Sequence, residues 1–334
     1  MLQTILIVRI SLATLLSLSL ACKGEPPTTR SADHGAAPVV TRAPLPTDAA
    51  ATPAPTPISN DACPLAARPL RHPTAERIVA LGDVHGDLQT TKKALRLAGA
   101  IDNTDTWIGG ALVLVQTGDI LDRGDGEQEI LDLFAALKIQ AEKAGGAIHR
   151  LNGNHEFMNA MGDFRYVTRE GFADFVAAEN ASEPLTAEAR AKAFLPGGEY
   201  AKRLASFDTV TMVGDTVFAH GGVLPRFVDT LEQVNRDARC FLLGHMSPPA
   251  AIMDPEGPIW TRAFSTGASA CGELTKALDK LKAKRMVVGH TPQLDGITSA
   301  CGDKIWRIDT GMARFYHGPT EVLEIKGEQV RVLK

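Results

Sequence analysis

Arg77-Ile-Val-Ala-Leu81-Gly82-Asp83-Val84-His85-Gly86 is the stretch from which the rest of this chain can be read. Its apolar half has the length and composition of a buried strand. The run stops at Gly82, and a carboxylate and an imidazole then alternate around Val84 on a short loop that ends at Gly86. Beyond it, Leu88, Ala94, Leu95 and Ala98 recur near helical spacing, which predicts a helix over 88–97. The same order returns twice. Ala111-Leu-Val-Leu-Val115 leads to Gly118-Asp119-Ile120-Leu121-Asp122-Arg123-Gly124, followed by a helix over 128–144 with Ile130, Leu131, Phe134, Leu137 and Ile139 as its apolar stripe. Gly145-Gly146 stops that helix, and the strand Ala147–Leu151 runs into Gly153-Asn154-His155-Glu156. Three strand–loop–helix units in succession predict a layered α/β architecture with crossover helices. In such sheets ligands bind outside the carboxyl ends of the strands, where all three polar phrases fall.

Downstream, residues 157–207 are richer in Ala, Glu, Lys and Arg and are interrupted by Pro184 and Pro196-Gly197-Gly198, so they read as a helical insertion beside the site. Thr209–Val213 and Thr216–Ala219, joined by Gly214-Asp215, read as a hairpin that delivers His220-Gly221-Gly222. A helix over 273–284 and the strand Arg285–Val288 lead to Gly289-His290, and 304–309 and 321–333 supply closing strands. Trp260 reads as a core residue.

Taken singly, these polar residues mean little: a lone histidine is more often a satisfied structural group than a ligand, and Asp122 could be a turn residue. As an ordered set they fit a metal centre. Asp119, on the central loop, is the natural carboxylate to bridge two cations, and Asn154 adds a neutral oxygen. Mixed oxygen and imidazole ligands suit Mn, Fe or Zn rather than calcium.

The spellings GDxHG, GDxxDRG and GNHE, in this order and followed by His220 and His290, resemble the calcineurin-like metallophosphoesterases of the phosphoprotein-phosphatase superfamily. Asp309-Thr-Gly311-Met and Gly162-Asp163-Phe164-Arg165-Tyr166 look most like the bacterial Shewanella-like phosphatases. The resemblance covers roughly residues 76–326 and implies a metallophosphoesterase β-sandwich flanked by helices. It implies that one divalent ion takes Asp83, His85 and Asp119, and a second takes Asp119, Asn154, His220 and His290. Two such ions can hold a bridging water whose pKa falls toward neutrality, so that hydroxide attacks phosphorus without a protein base. The resemblance makes His155 the general acid, although a further metal ligand is the other reading of that residue. Asp122 is then its orienting carboxylate, and Arg123 and Arg262 bind the phosphate. Arg165 and Tyr166 either line the substrate side or make a structural ion pair. Manganese is the expected metal, and a phosphorylated protein, including phosphotyrosine, or a small phosphate ester is the expected substrate. Hydrolysis of dinucleoside polyphosphates and a non-catalytic binding role are the rival readings. One departure is Asn152-Gly153 where the eukaryotic Ser/Thr enzymes carry Arg-Gly, so their protein partners and inhibitors do not transfer to this chain.

At 334 residues, 44% hydrophobic, the chain can bury a full core, and its net charge of −4 comes with no basic tract that would suit nucleic acid. The first residues are of another kind. Residues 1–21 carry one charge, Arg9, before an apolar run too short to span a bilayer, and read as an export signal. Leu20-Ala21-Cys22 resembles a bacterial lipoprotein box with Cys22 as the acylated residue, which predicts a lipid-anchored protein of the cell envelope. Residues 22–70, rich in Pro, Ala and Thr, read as a disordered tether, with the catalytic domain over 71–334. Cys63, Cys240, Cys271 and Cys301 form an even set that suits disulfides in an exported protein. All three pairings stay open, with Cys271–Cys301 favoured because the two bracket a helix and a strand.

Overall fold

The computed structural model describes residues 63–175, 187–266 and 270–334. The expected export signal, Cys22 and most of the tether therefore lie outside the described residues, as does part of the insertion. No helix among the described residues is long and apolar enough to cross a membrane.

The strands are β1 (Arg71–His72), β2 (Ile78–Leu81), β3 (Val113–Gln116), β4 (Ala147–Arg150), β5 (Val210–Val213), β6 (Thr216–Ala219), β7 (Arg285–Val288), β8 (Thr298–Ala300), β9 (Ile305–Arg307), β10 (Val322–Lys326) and β11 (Gln329–Leu333). The helices are α1 (Leu88–Leu97), α2 (Glu127–Lys143), α3 (Asn154–Ala160), α4 (Arg169–Ala173), α5 (Ala187–Phe194), α6 (Glu199–Leu204), α7 (Leu231–Leu242), α8 (Ala250–Met253) and α9 (Cys271–Leu281). Two sheets form, ordered β11-β10-β2-β3-β4 and β1-β5-β6-β7-β9-β8. Strands β2, β3 and β4 run parallel, as do β6, β7 and β9.

Period-two alternation assigns each strand residue to a layer. Ile78 and Ala80 point between the sheets, where they join Val115, Phe218, Val287 and Leu323. Val79 and Leu81 point outward, onto a core shared with Leu95 of α1 and Ile130, Phe134 and Leu137 of α2. On the far side, Val217, Ala219, Met286 and Val288 pack beneath Leu274, Leu278 and Leu281 of α9. The result is helices, sheet, sheet and helices, the sandwich that the family resemblance implies.

Three expectations need correction. Ile139 is 56% exposed. At about 100° per residue it lies roughly on the opposite side of α2 from Leu137, and Ala141 fills the buried position. Trp260 is half-buried rather than in the core, with its indole N–H donated to the Ile252 carbonyl at 2.9 Å. The ordered domain also begins before residue 71. Cys63 is disulfide-bonded to Cys240 of α7, Arg68 donates to the Ser206 carbonyl at 3.1 Å, and Leu70 N–H faces Glu232 Oε1 at 3.4 Å. Cys271 pairs with Cys301, which ties α9 to the β8–β9 turn. Within the described part of 157–207, α4, α5 and α6 are short, of five, eight and six residues.

Candidate active site

The polar phrases follow the carboxyl ends of β2, β3, β4, β6 and β7, so the two sheets bring them to one edge of the sandwich. The loops are tight. His85, Asp119, Asp122, Arg123 and His290 all have positive φ, between 42° and 70°. Such conformations are uncommon for residues with a Cβ and persist where the surroundings hold them. Gly118 lets two loops touch: a Cβ there would lie 2.5 Å from Gly153 N and 3.0 Å from His220 Nδ1. Glu156 fastens the same loops, accepting N–H bonds from Gly153 at 2.6 Å, Asp119 at 2.9 Å and Ile120 at 2.8 Å. It caps α3 and binds the β3 loop with one carboxylate, a role not read from the sequence.

All the predicted site residues come together. Asp119 Oδ2 is the hub, 3.2 Å from His220 Nε2 and 3.8 Å from both His85 Nε2 and His155 Nε2. His85, Asp119 and His155 form one group of potential ligand atoms, and Asp119, His220 and His290 form another; within each group all such atoms lie within 4.8 Å. Asn154 Oδ1 lies 2.9 Å from His220 Nε2. Asp83 sits deeper, accepting the His290 N–H at 3.0 Å through Oδ2.

Hydrogen bonds choose which imidazole nitrogen faces the centre. His85 Nδ1 lies 2.9 Å from the Leu121 carbonyl and His220 Nδ1 lies 3.0 Å from the Thr117 carbonyl, so each presents Nε2. His290 is reversed: Nε2 meets the Trp260 carbonyl at 3.1 Å, which leaves Nδ1 free. His155 Nδ1 faces Asp122 Oδ2 at 2.5 Å, so its Nε2 points into the cavity beside Arg123 Nη2 at 3.3 Å.

Divalent cations fit this cluster. Asp83 Oδ1 and Asp309 Oδ2 are buried and have no hydrogen-bond donor among the described residues. Burial, then Asp309 and Asp119, push the Asp83 carboxyl well above its usual range. Burial brings Asp309 to about 6, and burial with Asp119 brings Glu156 to about 7. Burial would raise Asp119 too, but His220 and His155 outweigh it and hold that carboxyl well below its ordinary value. Burial takes His85 down to about 4, and burial with His220 takes His290 to about 2. Neutral imidazoles beside crowded carboxylates are the state a metal needs, and positive ions would relieve the crowding. Asp309, just beyond β9, was missed as a site residue. The signal was available, since it follows a closing strand much as Asp83 and Asp119 follow theirs.

In front of the cluster lies a cavity of about 210 Å³, reached by His85, Asp119, Asn154, His155, Arg123, Arg262 and His290. Asp83, Asp122 and His220 are buried behind this front. The Arg123 guanidinium lies among the rings of Tyr166, Phe315 and Tyr316, with centroids at 5.0, 5.3 and 4.8 Å, and its buried Nε has no partner among the described residues. Arg262, which also lines the cavity, donates to the His290 carbonyl at 2.9 Å and Thr291 Oγ1 at 2.8 Å. Arg165 pairs with Asp163 at 2.7 Å, and both line the cavity with Tyr166, so the two readings of Arg165 hold together.

Residues 76–294 match the family model described as calcineurin-like phosphoesterase. The chain belongs to the calcineurin-like phosphoesterase family. This phosphoesterase is 39% identical over 302 residues to Shewanella-like protein phosphatase 2 of Arabidopsis thaliana, covering 77% of each chain. It is 33% identical over 252 residues to Shewanella-like protein phosphatase 1 of Plasmodium berghei, covering 72% of this chain and 68% of that one. Its fold superposes on the crystal structure of a cold-active protein-tyrosine phosphatase of a psychrophilic Shewanella species with a TM-score of 0.67 and 26% identity, over 80% of this chain and 83% of that one. Family and site together make this phosphoesterase a metal-dependent phosphoester hydrolase.

Proposed function

We propose that this phosphoesterase uses two divalent ions, manganese first among them, to hydrolyse phosphate monoesters on protein, phosphotyrosine in particular. The observation that carries the dinuclear reading is the position of Asp119, whose Oδ2 is the common corner of both histidine groups. Asp83, His85 and Asp119 would hold one ion, and Asp119, Asn154, His220 and His290 the other. When bound, such ions neutralise charge on the phosphoryl oxygens and lower the pKa of a coordinated water. Arg123 and Arg262, both lining the cavity, bind the phosphoryl oxygens. His155 gives its Nε2 proton to the leaving oxygen as the ester bond breaks, while Asp122 holds Nδ1–H and steadies the imidazolium. Burial works against that charged form, but Asp119 and Asp122 raise the His155 pKa above its ordinary value, which keeps the proton available.

The names of the relatives support a protein substrate, and the rings of Tyr166, Tyr316 and Trp260 at the cavity suit a planar aryl group. Export and acylation at Cys22 belong to this proposal and rest on the sequence of residues 1–22. The test is turnover on phosphotyrosine and phosphoserine peptides and on a dinucleoside tetraphosphate, with metal analysis of the same sample. Highest kcat/KM on the phosphotyrosine peptide, with two metals per chain, is expected. Preference for the dinucleotide would overturn the substrate, a single tightly bound metal would overturn the dinuclear centre, and a metal-loaded protein inert on all three would point to a binding role.

A further inference from the structure

Arg190, on α5 of the insertion, is fully buried, and each of its five N–H donors is used. Nε donates to Asn159 Oδ1 at 2.7 Å. Nη1 donates to Glu127 Oε2 at 2.6 Å and to the Gly171 carbonyl at 2.9 Å. Nη2 donates to Glu127 Oε1 at 2.9 Å and to Asp122 Oδ1 at 3.3 Å. Phe175 and Phe194 flank the guanidinium, with ring centroids 5.2 and 4.9 Å away. A buried ionic cluster of this kind is a poor way to gain stability, because desolvation offsets most of the attraction and apolar packing often does as well. A role in geometry accounts for it better.

That geometry belongs to the proton donor. Asp122 Oδ1 accepts from Arg190 and from Asn159 Nδ2 at 2.9 Å, which turns Oδ2 toward His155 Nδ1. The Asp122 backbone N–H is bound to Glu127 Oε1, an oxygen that also accepts from Arg190. Asp122 and Arg123 have φ of 70° and 66°, conformations that residues with a Cβ keep only where the surroundings hold them. The insertion grips this turn a second time where Arg123 N–H donates to the Tyr166 carbonyl at 2.9 Å.

We propose that Arg190 is a positioning residue through which the helical insertion sets the Asp122–His155 pair, and with it delivery of the proton to the leaving group. This rests on the phosphomonoesterase reading above. Lysine could not replace it, because three donors from one point cannot serve a carboxylate fork, an amide and a second carboxylate together.

The test compares Arg190→Lys and Arg190→Met with wild type on an alkyl phosphate, whose leaving group needs a proton, and on 2,4-dinitrophenyl phosphate, whose phenoxide does not. Both variants should lose about 100-fold in kcat on the alkyl ester, the scale of a displaced catalytic group, and less than about 5-fold on the aryl ester. KM and metal content should hold. A second readout is the downfield proton resonance of His155 Nδ1–H, identified by its loss in His155→Asn; it should shift or broaden in Arg190→Met. Equal losses on the two esters, loss of metal, or full alkyl activity in Arg190→Lys with an unmoved resonance would overturn the proposal. If neither variant folds, Glu127→Gln decides, since it keeps Arg190 and the side-chain volume: selective loss on the alkyl ester supports the proposal, and uniform or absent loss overturns it. A metal-loaded wild type inactive on both esters would defeat the phosphatase reading, while the resonance would still judge the positioning role.

Discussion

Asp122→Asn tests proton delivery, because the replacement keeps shape, removes the charge and puts an amide NH2 where one of the two accepting oxygens stood. Asp122 is fully buried, its Oδ2 lies 2.5 Å from His155 Nδ1, and no atom of it lies in either group of potential metal ligands. Two unit charges with centres about 4 Å apart interact by about 4 kcal/mol at an effective dielectric near 20, and each 1.4 kcal/mol is roughly tenfold in an equilibrium. Arg190 already shares the Asp122 carboxylate, so the net loss of imidazolium stability is smaller. We expect the population of charged His155 at neutral pH to fall by about 10²–10³. Turnover of an alkyl phosphate should fall by about the same factor, and that of 2,4-dinitrophenyl phosphate by less than about tenfold. The loss on the alkyl ester should shrink as pH is lowered, since acid restores the imidazolium. The assay is steady-state kcat and kcat/KM for the two esters from pH 5 to 9, with metal quantified in every sample. Equal losses for the two esters at full metal occupancy, or a loss that does not recover in acid, would refute the acid role of the pair.

Asp119→Asn should lose metal and activity while keeping its secondary structure, because the shared corner of both histidine groups loses its charge; full metal content by elemental analysis with normal turnover contradicts this. Glu324 supplies a pH test of stability: burial raises its pKa, but hydrogen bonds from Arg331 and Arg77 outweigh it and bring the carboxyl from 4.5 to about 2. A carboxyl depressed in the folded state stabilises above its unfolded pKa, and that stability is lost as pH falls from about 4.5 through about 2. With Arg331 largely exposed, the contribution is on the order of 1–2 kcal/mol. Urea titrations should therefore show Glu324→Gln less stable than wild type at pH 7 and the gap closing toward pH 2; a gap independent of pH rules this out. Cys22→Ser should release the protein from membranes in cell fractionation, and retention of the correctly cleaved variant would count against a lipid anchor.

What could be read from the chain alone was whatever neighbours in sequence decide. Ile78–Leu81, Val113–Gln116 and Ala147–Arg150 each hand over directly to a polar loop, so strand, ligand and helix follow from a local pattern. The order of the phrases then points to a metal edge before any distance is known. Residues that no motif marks and whose work depends on partners far along the chain were not legible. Arg190 is an ordinary basic residue of an alanine-rich helix until the fold sets it against Glu127 and Asp122, 63 and 68 residues away. Asp309 stands between the two cases: its place after a closing strand is a local signal, but only the pairing of β9 with β7 sets it beside Asp83. Cys63 finds Cys240 across 177 residues, and the rings of Tyr166, Phe315 and Tyr316 meet around Arg123 from two distant segments. The physical reason is the same in each case. A strand or a loop is selected by steric and hydrogen-bonding preferences acting over a few residues, whereas a buried charge is tolerated only where packing from several elements supplies every one of its partners.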